Sequence, residues 1–217
     1  MKKLIRNIYN LLSISTPYFI IFNYIKNYFP NYRKKKQCLN IDEKIYQNFK
    51  SIDLTKKWFT NNLYFLSKNL SNLEVKNLLE IGSYEGRSAI FFADIFRDSK
   101  ISCVDTWSGS DEHENINFKS IEDNFDQNIK LLKNNQLLTK YKMTSDNFFI
   151  QNNEKFDFVY VDGDHSKDQV LKDLQNSWSV LNNNGFLLVD DYMWWYYKNL
   201  ENNPASSVNI FINNNID

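Results

Sequence analysis

The sequence predicts an α/β chain of Rossmann-like, doubly wound type, a mostly parallel sheet with helices on both faces. Three observations predict it. Short apolar runs at 78–81, 101–104, 156–161 and 186–189 are punctuated at their carboxyl ends by acidic residues, as fully buried parallel strands are. Between the runs, apolar residues recur at helical spacing, for example Phe118, Ile121, Phe125, Ile129 and Leu132. The segment 77–92 reads as strand, glycine turn and helix, which is half of a nucleotide-binding crossover unit. Strand and helix alternating in this way require right-handed crossovers and a parallel sheet.

At 217 residues the chain has room for one such domain and an appendage, and 42% hydrophobic with 16% aromatic content suffices for its core. The net charge of zero hides an asymmetry. The first 41 residues hold eight of the 26 Lys/Arg and none of the 26 Asp/Glu, so a basic head precedes an acidic body. An acidic body is a poor general nucleic-acid binder, and no nucleic-acid partner is expected. Two cysteines, Cys38 and Cys103, make no disulfide framework, so a cytoplasmic setting is expected.

In chain order, residues 1–40 form a basic and apolar segment set before a domain at 41–217. Residues 7–25 carry no charge but are interrupted by Asn, Ser, Thr and Pro, so they are too broken for the roughly 20 apolar residues of a spanning helix. Two readings of 1–36 stand side by side: a peripheral membrane contact, with aromatics in the headgroup zone and Lys/Arg on anionic lipid, or a helix packing on the domain or on a second subunit of a homo-oligomer. Ile41, Ile45 and Phe49, then Leu54, Trp58, Leu63, Leu66 and Leu70, mark one or two helices, with Asp53 as an N-cap. The first strand ends in Glu80-Ile81-Gly82. The turn that follows is G-x-x-x-G, with Tyr84 in place of the middle glycine of G-x-G-x-x-G and Glu85 where phosphate oxygens would sit. That disfavours a nicotinamide oxidoreductase and a P-loop, and favours a nucleoside without phosphate that carries a cationic centre, such as S-adenosylmethionine.

The second strand, 100–105, ends in Asp105, 23 residues after Gly82, where an acidic side chain of a doubly wound fold accepts from ribose hydroxyls. A short third strand is expected at 139–143, a fourth at 156–162 and a fifth at 185–192. Asp162, Asp164, Asp190 and Asp191 lie at the ends of the last two. On neighbouring strands about 4.8 Å apart, such carboxylates take up protons or a cation, and all-oxygen ligands suit Mg²⁺, Mn²⁺ or Ca²⁺. His165 follows Asp164 at this edge with a pKa range suited to proton transfer. His113, in the polar insertion 111–114, is open to either an acceptor contact or solvation.

Leu-Glu-Ile-Gly-Ser-Tyr-Glu-Gly-Arg-Ser at 79–88, Val-Asp-Thr-Trp at 104–107, Phe-Asp-Phe-Val-Tyr-Val-Asp-Gly-Asp-His at 156–165 and Gly-Phe-Leu-Leu-Val-Asp-Asp-Tyr at 185–192 together resemble the class I S-adenosylmethionine-dependent methyltransferases that include macrocin and aminocoumarin sugar O-methyltransferases. The resemblance spans about residues 50–212. It implies that Glu80, Gly82, Ser83 and Gly86 hold the methionine end, that Asp105 binds ribose and that Ser145 lies near adenine. It further implies that Asp162, Asp190 and Asp191 bind a divalent cation, Mg²⁺ foremost, and that the base is Asp164 or, as in catechol-type relatives, His165. The implied activity is metal-assisted O-methylation of a sugar or other small hydroxyl acceptor, with a glycan or secondary metabolite as partner. A cofactor-binding but inactive, fragmentary domain is the alternative. Relative to the family's seven strands, the sequence leaves the last two unaccounted for and reads as C-terminally truncated.

Overall fold

The computed structural model describes residues 31–46, 58–110, 113, 116–132, 137–194 and 196–215, with side chains from residue 37 onward. The expectations for residues 1–30 and for Asp53 lie outside these residues. Among the described residues no helix is long and apolar enough to cross a membrane.

Helix α1 (Asn31–Tyr46) is followed by a 3-10 turn at Trp58–Asn62 and α2 (Leu63–Leu70). Strand and helix then alternate: β1 (Asn77–Ile81), α3 (Arg87–Ile95), β2 (Lys100–Asp105), α4 (Phe118–Lys130), β3 (Leu138–Lys142), α5 (Ser145–Gln151), β4 (Phe156–Val161), α6 (Lys167–Val180), β5 (Leu181–Val189) and, after a 3-10 turn at Leu200–Asn202, α7 (Pro204–Asn215). The five strands pair in the order β3-β2-β1-β4-β5, all parallel. The strand order reverses between β1 and β4, and the crevice at the carboxyl ends of the strands there is where open α/β sheets bind ligands.

Alternation along the strands sorts the core into two faces. Leu78, Phe158 and Tyr160 pack with Phe59, Leu63, Phe91, Phe92 and Phe125, against α1 to α4. Leu79, Val159 and Val161 pack the other way, onto Phe148 of α5, and α6 and α7 join through Val170, Leu174, Val208 and Phe211. The tips of β1, β4 and β5 are level because the ladder continues past them. Asp162 N donates to Ile81 O at 2.8 Å and Asp190 N to Val161 O at 3.0 Å.

Three strands differ from the sequence reading. The third begins and ends one residue earlier, the fourth ends one residue earlier at Val161, and the fifth ends at Val189. The fifth begins at Leu181, directly after α6, with a register irregularity opposite Phe156 and Phe158 and Asn184 at φ +65°. The sequence reading placed its start at Gly185. Asp157 supplies the competing force: its carboxylate accepts from Asn182 Nδ2 at 2.7 Å and from the backbone N–H groups of Lys76 and Asn77 at 2.9 and 3.0 Å, which ties the amino ends of β1 and β5 together.

The two cysteines are free and buried. Helix α1 is fastened to the glycine-turn helix through a buried cluster. Asp42 pairs with Arg87 and accepts from Thr60 Oγ1 at 2.7 Å, the Arg87 guanidinium lies 4.1 Å from the Tyr46 ring centroid, and Tyr46 OH donates to Arg87 O at 2.8 Å.

Candidate functional site

A cavity of about 970 Å³ opens over the carboxyl ends of the strands. That volume is at the upper end for a small-molecule site, and it accommodates a cofactor together with a second reactant. Its walls come from the β1 turn, the loop after β2, the first turn of α5, the loops after β4 and β5, and the Trp58–Asn62 turn.

Of the residues expected around the cofactor, Gly82, Ser83, Asp105 and Ser145 line this cavity, while Glu80 and Gly86 do not. Glu80 is fully buried beneath the turn and accepts from Ser83 Oγ at 2.6 Å. Burial pushes its carboxyl up to about 7 against the Ser83, Ser88 and Cys103 hydrogen bonds that favour the charged form. It therefore shapes the turn from below. Gly86 starts α3 at φ +80°, and a Cβ there would lie 3.0 Å from the Phe125 ring, so its open side is filled by protein. Gly82 is a matter of close approach as well: at φ +87°, a Cβ would meet Asp162 O at 2.0 Å.

Asp105 stands at the tip of β2 with both oxygens already at work. Oδ2 accepts from Ser83 N at 2.9 Å and Tyr84 N at 2.8 Å, and Oδ1 from Trp107 N at 2.7 Å. A carboxylate oxygen has two acceptor sites, so one on Oδ1 remains for a hydroxyl. The turn amides that would cradle a pyrophosphate are spent on Asp105, and Glu85 stands beside them, its Oε1 accepting from Asn124 Nδ2 at 3.0 Å. Ser145 opens α5 behind the Thr144 N-cap and accepts from Gln169 Nε2 at 3.1 Å. The same Gln169 amide donates to Asp173, whose buried carboxyl is pushed up to about 6 by desolvation.

The acidic cluster is regrouped relative to expectation. Ligand atoms of Asp162, His165 and Asp191 lie within 4.8 Å of one another, with His165 Nε2 3.1 Å from Asp191 Oδ2 and 3.6 Å from Asp162 Oδ1. Asp190 adjoins this trio without a ligand atom in it: Asp191 N donates to its Oδ1 at 2.9 Å, and Tyr160 OH lies between its Oδ2 and Asp162 Oδ2, 3.1 Å from the latter. Asn62 Nδ2 donates to both Asp190 oxygens, at 3.1 and 2.9 Å, and Tyr160 OH donates to Oδ2. Burial comes first in raising the Asp190 carboxyl, with the Asp191 charge adding and the Tyr160 and Asn62 hydrogen bonds opposing. Asp162 is pushed up to about 7 by burial, with the Asp190 and Asp191 charges adding to it and His165 working against it. Carboxylates desolvated so close together call for a proton or a cation, and two carboxylates with an imidazole are a donor set that a divalent ion fits. Asp164 Oδ1 accepts from Ser166 N at 2.7 Å at the start of α6, which commits half of that carboxylate to the helix.

Sequence reasoning missed Asn62 and Tyr160. Tyr160 reads as a core aromatic of the strand, which its ring is, packed 5.1 Å from Phe92, and only the register brings its hydroxyl to the strand tips. It also gave no weight to Trp194, whose ring lies 4.8 Å from the His165 imidazole. Five of the six residues at 192–197 are aromatic, and nothing in that run singles out Trp194.

A family model described as "Methyltransferase domain" matches residues 79–192, more than half of the chain. The chain belongs to this methyltransferase family. The matched stretch runs from the first strand to the acidic pair after the fifth, so it contains the turn, Asp105 and the trio. Among solved structures, a Podospora anserina methyltransferase with S-adenosylhomocysteine bound is 17% identical, over 82% of this methyltransferase and 77% of that chain, with a TM-score of 0.55. The O-methyltransferase TomG from Streptomyces achromogenes, with S-adenosylmethionine, is 14% identical over 81% and 76%, TM-score 0.55. A Bacillus cereus O-methyltransferase with S-adenosylhomocysteine is 14% identical over 82% and 76%, TM-score 0.54. These likenesses show the fold. No curated protein matches the sequence.

Proposed function

We propose that this methyltransferase uses S-adenosylmethionine to methylate a hydroxyl oxygen, with a divalent cation held by the Asp162 and Asp191 carboxylates and His165 beside it as the base. The trio carries the reading, because it stands at the strand edge next to the Gly82 turn, in the same cavity. Eight carboxylates line that cavity against one guanidinium, Arg87, which Asp42 already pairs. A sulfonium suits such a field and a pyrophosphate does not. Known structures of the same fold were solved with the sulfur nucleosides.

In this reading the β1 turn and Ser83 receive the methionine end, the free site on Asp105 accepts from a ribose hydroxyl, and Ser145 with Gln169 borders the purine. The cation supplies Lewis acidity that lowers the pKa of an acceptor hydroxyl. His165 takes the proton, and Asp191, 3.1 Å from Nε2, stabilises the imidazolium that results. The acceptor oxygen forms its bond to the methyl carbon as the carbon–sulfur bond breaks, leaving S-adenosylhomocysteine. Holding oxygen, methyl and sulfur in line is the remaining contribution. A sugar hydroxyl, as the family resemblance implies, is the acceptor we favour.

Calorimetric titration with S-adenosylmethionine, S-adenosylhomocysteine and NAD tests the cofactor, and binding of NAD without either sulfur nucleoside would sink the proposal. Methyl transfer that persists at full rate in excess chelator would remove the cation from it.

A further inference from the structure

We propose that Trp58, Tyr84 and His113 form an acceptor-specificity wall, and that the acceptor it takes is an uncharged, hydroxylated ring. The proposal rests on the methyl-transfer reading and adds which side chains grip the acceptor and what charge it carries.

The three rings come from distant parts of the chain and meet on one side of the cavity. Centroids of Trp58 and Tyr84 are 5.6 Å apart, Tyr84 and His113 stack at 6.1 Å with 18° between planes, and Trp58 and His113 are 6.4 Å apart. The wall is built with backbone strain. Tyr84 and Trp107 sit at φ +46° and +49°, held there by Asp105, which accepts from both backbone N–H groups, and by Trp107 Nε1, which donates to Tyr84 O at 2.8 Å. Such conformations persist where the surroundings over-determine them, and they gather at ligand sites. The loop then folds tightly over Phe118, since a Cβ on Gly109 would lie 2.1 Å from that ring, and Phe118 meets His113 edge-on at 5.7 Å.

His113 is oriented as well as packed. Ser110 N donates to Nδ1 at 3.2 Å, with the Ser110 hydroxyl at 3.0 Å. An accepting Nδ1 places the neutral ring's proton on Nε2, and among the described residues Nε2 has no hydrogen-bond partner. The wall thus offers one N–H donor beside two aromatic faces. That is a match for a ring with oxygen acceptors at its edge and an apolar flat side. Trp58, 60% exposed, presents its face at the cavity rim.

Its distance from the chemistry follows from one element. Trp58 and Asn62 are the ends of the same 3-10 turn, about 8 Å apart along its axis, and Asn62 touches Asp190 beside the trio. A ring whose reacting hydroxyl lies at His165 therefore extends toward the wall with its other end. Of the eight carboxylates, Asp146 is paired with Lys172 and burial pushes Asp162, Asp173 and Asp190 toward the neutral form, which leaves Glu85, Asp105, Asp164 and Asp191 to set the sign of the field. An anionic acceptor would enter a field of its own sign in a partly desolvated site, which is how such sites reject it.

The test uses methyl β-D-glucopyranoside, its anionic counterpart methyl β-D-glucuronide, and catechol as an uncharged aromatic ring. Each is probed by saturation-transfer NMR and by radiolabelled methyl transfer, while calorimetry follows S-adenosylhomocysteine. At least one neutral ring should be bound and methylated, with the glucuronide at least about tenfold weaker than the glucopyranoside. Which neutral ring responds tells a saturated acceptor from an aromatic one. His113→Ala and Trp58→Ala should each raise KM for that ring about tenfold with kcat nearly unchanged, His113→Gln should recover part of the loss through its amide N–H, and nucleoside affinity should hold. A preferred glucuronide, no signal from any neutral ring, or unchanged KM in both alanine variants would overturn the wall. Nucleoside affinity falling in step with KM would reassign it to the cofactor. Wild-type protein that binds no sulfur nucleoside would instead overturn the underlying methyl-transfer reading.

Discussion

His165 reaches two carboxylates at 3.1 and 3.6 Å from a single ring nitrogen, while Asp164 gives one oxygen to the amide of Ser166. These geometries are why His165, and not Asp164, is the base we propose. His165→Ala should lower single-turnover methyl transfer by about 100-fold or more and leave nucleoside binding intact. Asp164→Ala should act chiefly on stability, by about 1 kcal/mol, as loss of a capping acceptor does, read from the denaturation midpoint. Gly82 is legible in the sequence as a turn residue, but its cause is tertiary. With a Cβ 2.0 Å from Asp162 O, Gly82→Ala should destabilise the protein by more than about 3 kcal/mol, measured in the same way.

At the scale of elements, the N-terminal helix and the Trp58–Asn62 turn do work that their sequence does not advertise. Ile41, Ile45, Leu63, Leu66 and Leu70 showed amphipathic helices, and the structure agrees. Their polar residues carried no visible meaning until Asp42 was found on Arg87 and Asn62 on Asp190, partners 45 and 128 residues away. Removing one partner of a buried ion pair strands the other, so Asp42→Ala should cost about 3–5 kcal/mol, seen as a lower urea midpoint. Replacing Asp42 and Arg87 together with apolar residues should cost less than Asp42→Ala alone, and a double-mutant cycle checks that ordering.

For the whole molecule, the buried carboxyls set a pH dependence. Glu80 at about 7 and Asp173 at about 6 are both raised by burial. A raised carboxyl contributes stability that is present below its unfolded pKa near 4 and is lost as pH rises through the folded value. Asp157 runs the other way: although burial opposes it, the Asn182 side chain and the two backbone amides hold it below the usual range, so its contribution is present above pH 4 and lost as pH falls further. Stability without ligands should therefore peak near pH 4 and decline up to about pH 7, by about 3 kcal/mol for Glu80 alone. Glu80→Gln and Asp173→Asn should flatten that decline in melts taken from about pH 4 to about pH 7. What the sequence determined by itself was the alternation of strands and helices, the acidic residues at strand ends and the G-x-x-x-G turn, because periodicity and backbone chemistry are local. The tertiary structure decided which of those residues share a cavity. The strand order set β1 beside β4 and β5, and burial then grouped Asp162 and Asp191 with His165, gave Asp190 to Asn62 and Tyr160, and brought Trp58 and His113 to face Tyr84. Those are contacts between residues far apart in the chain, and only the register of the sheet fixes them.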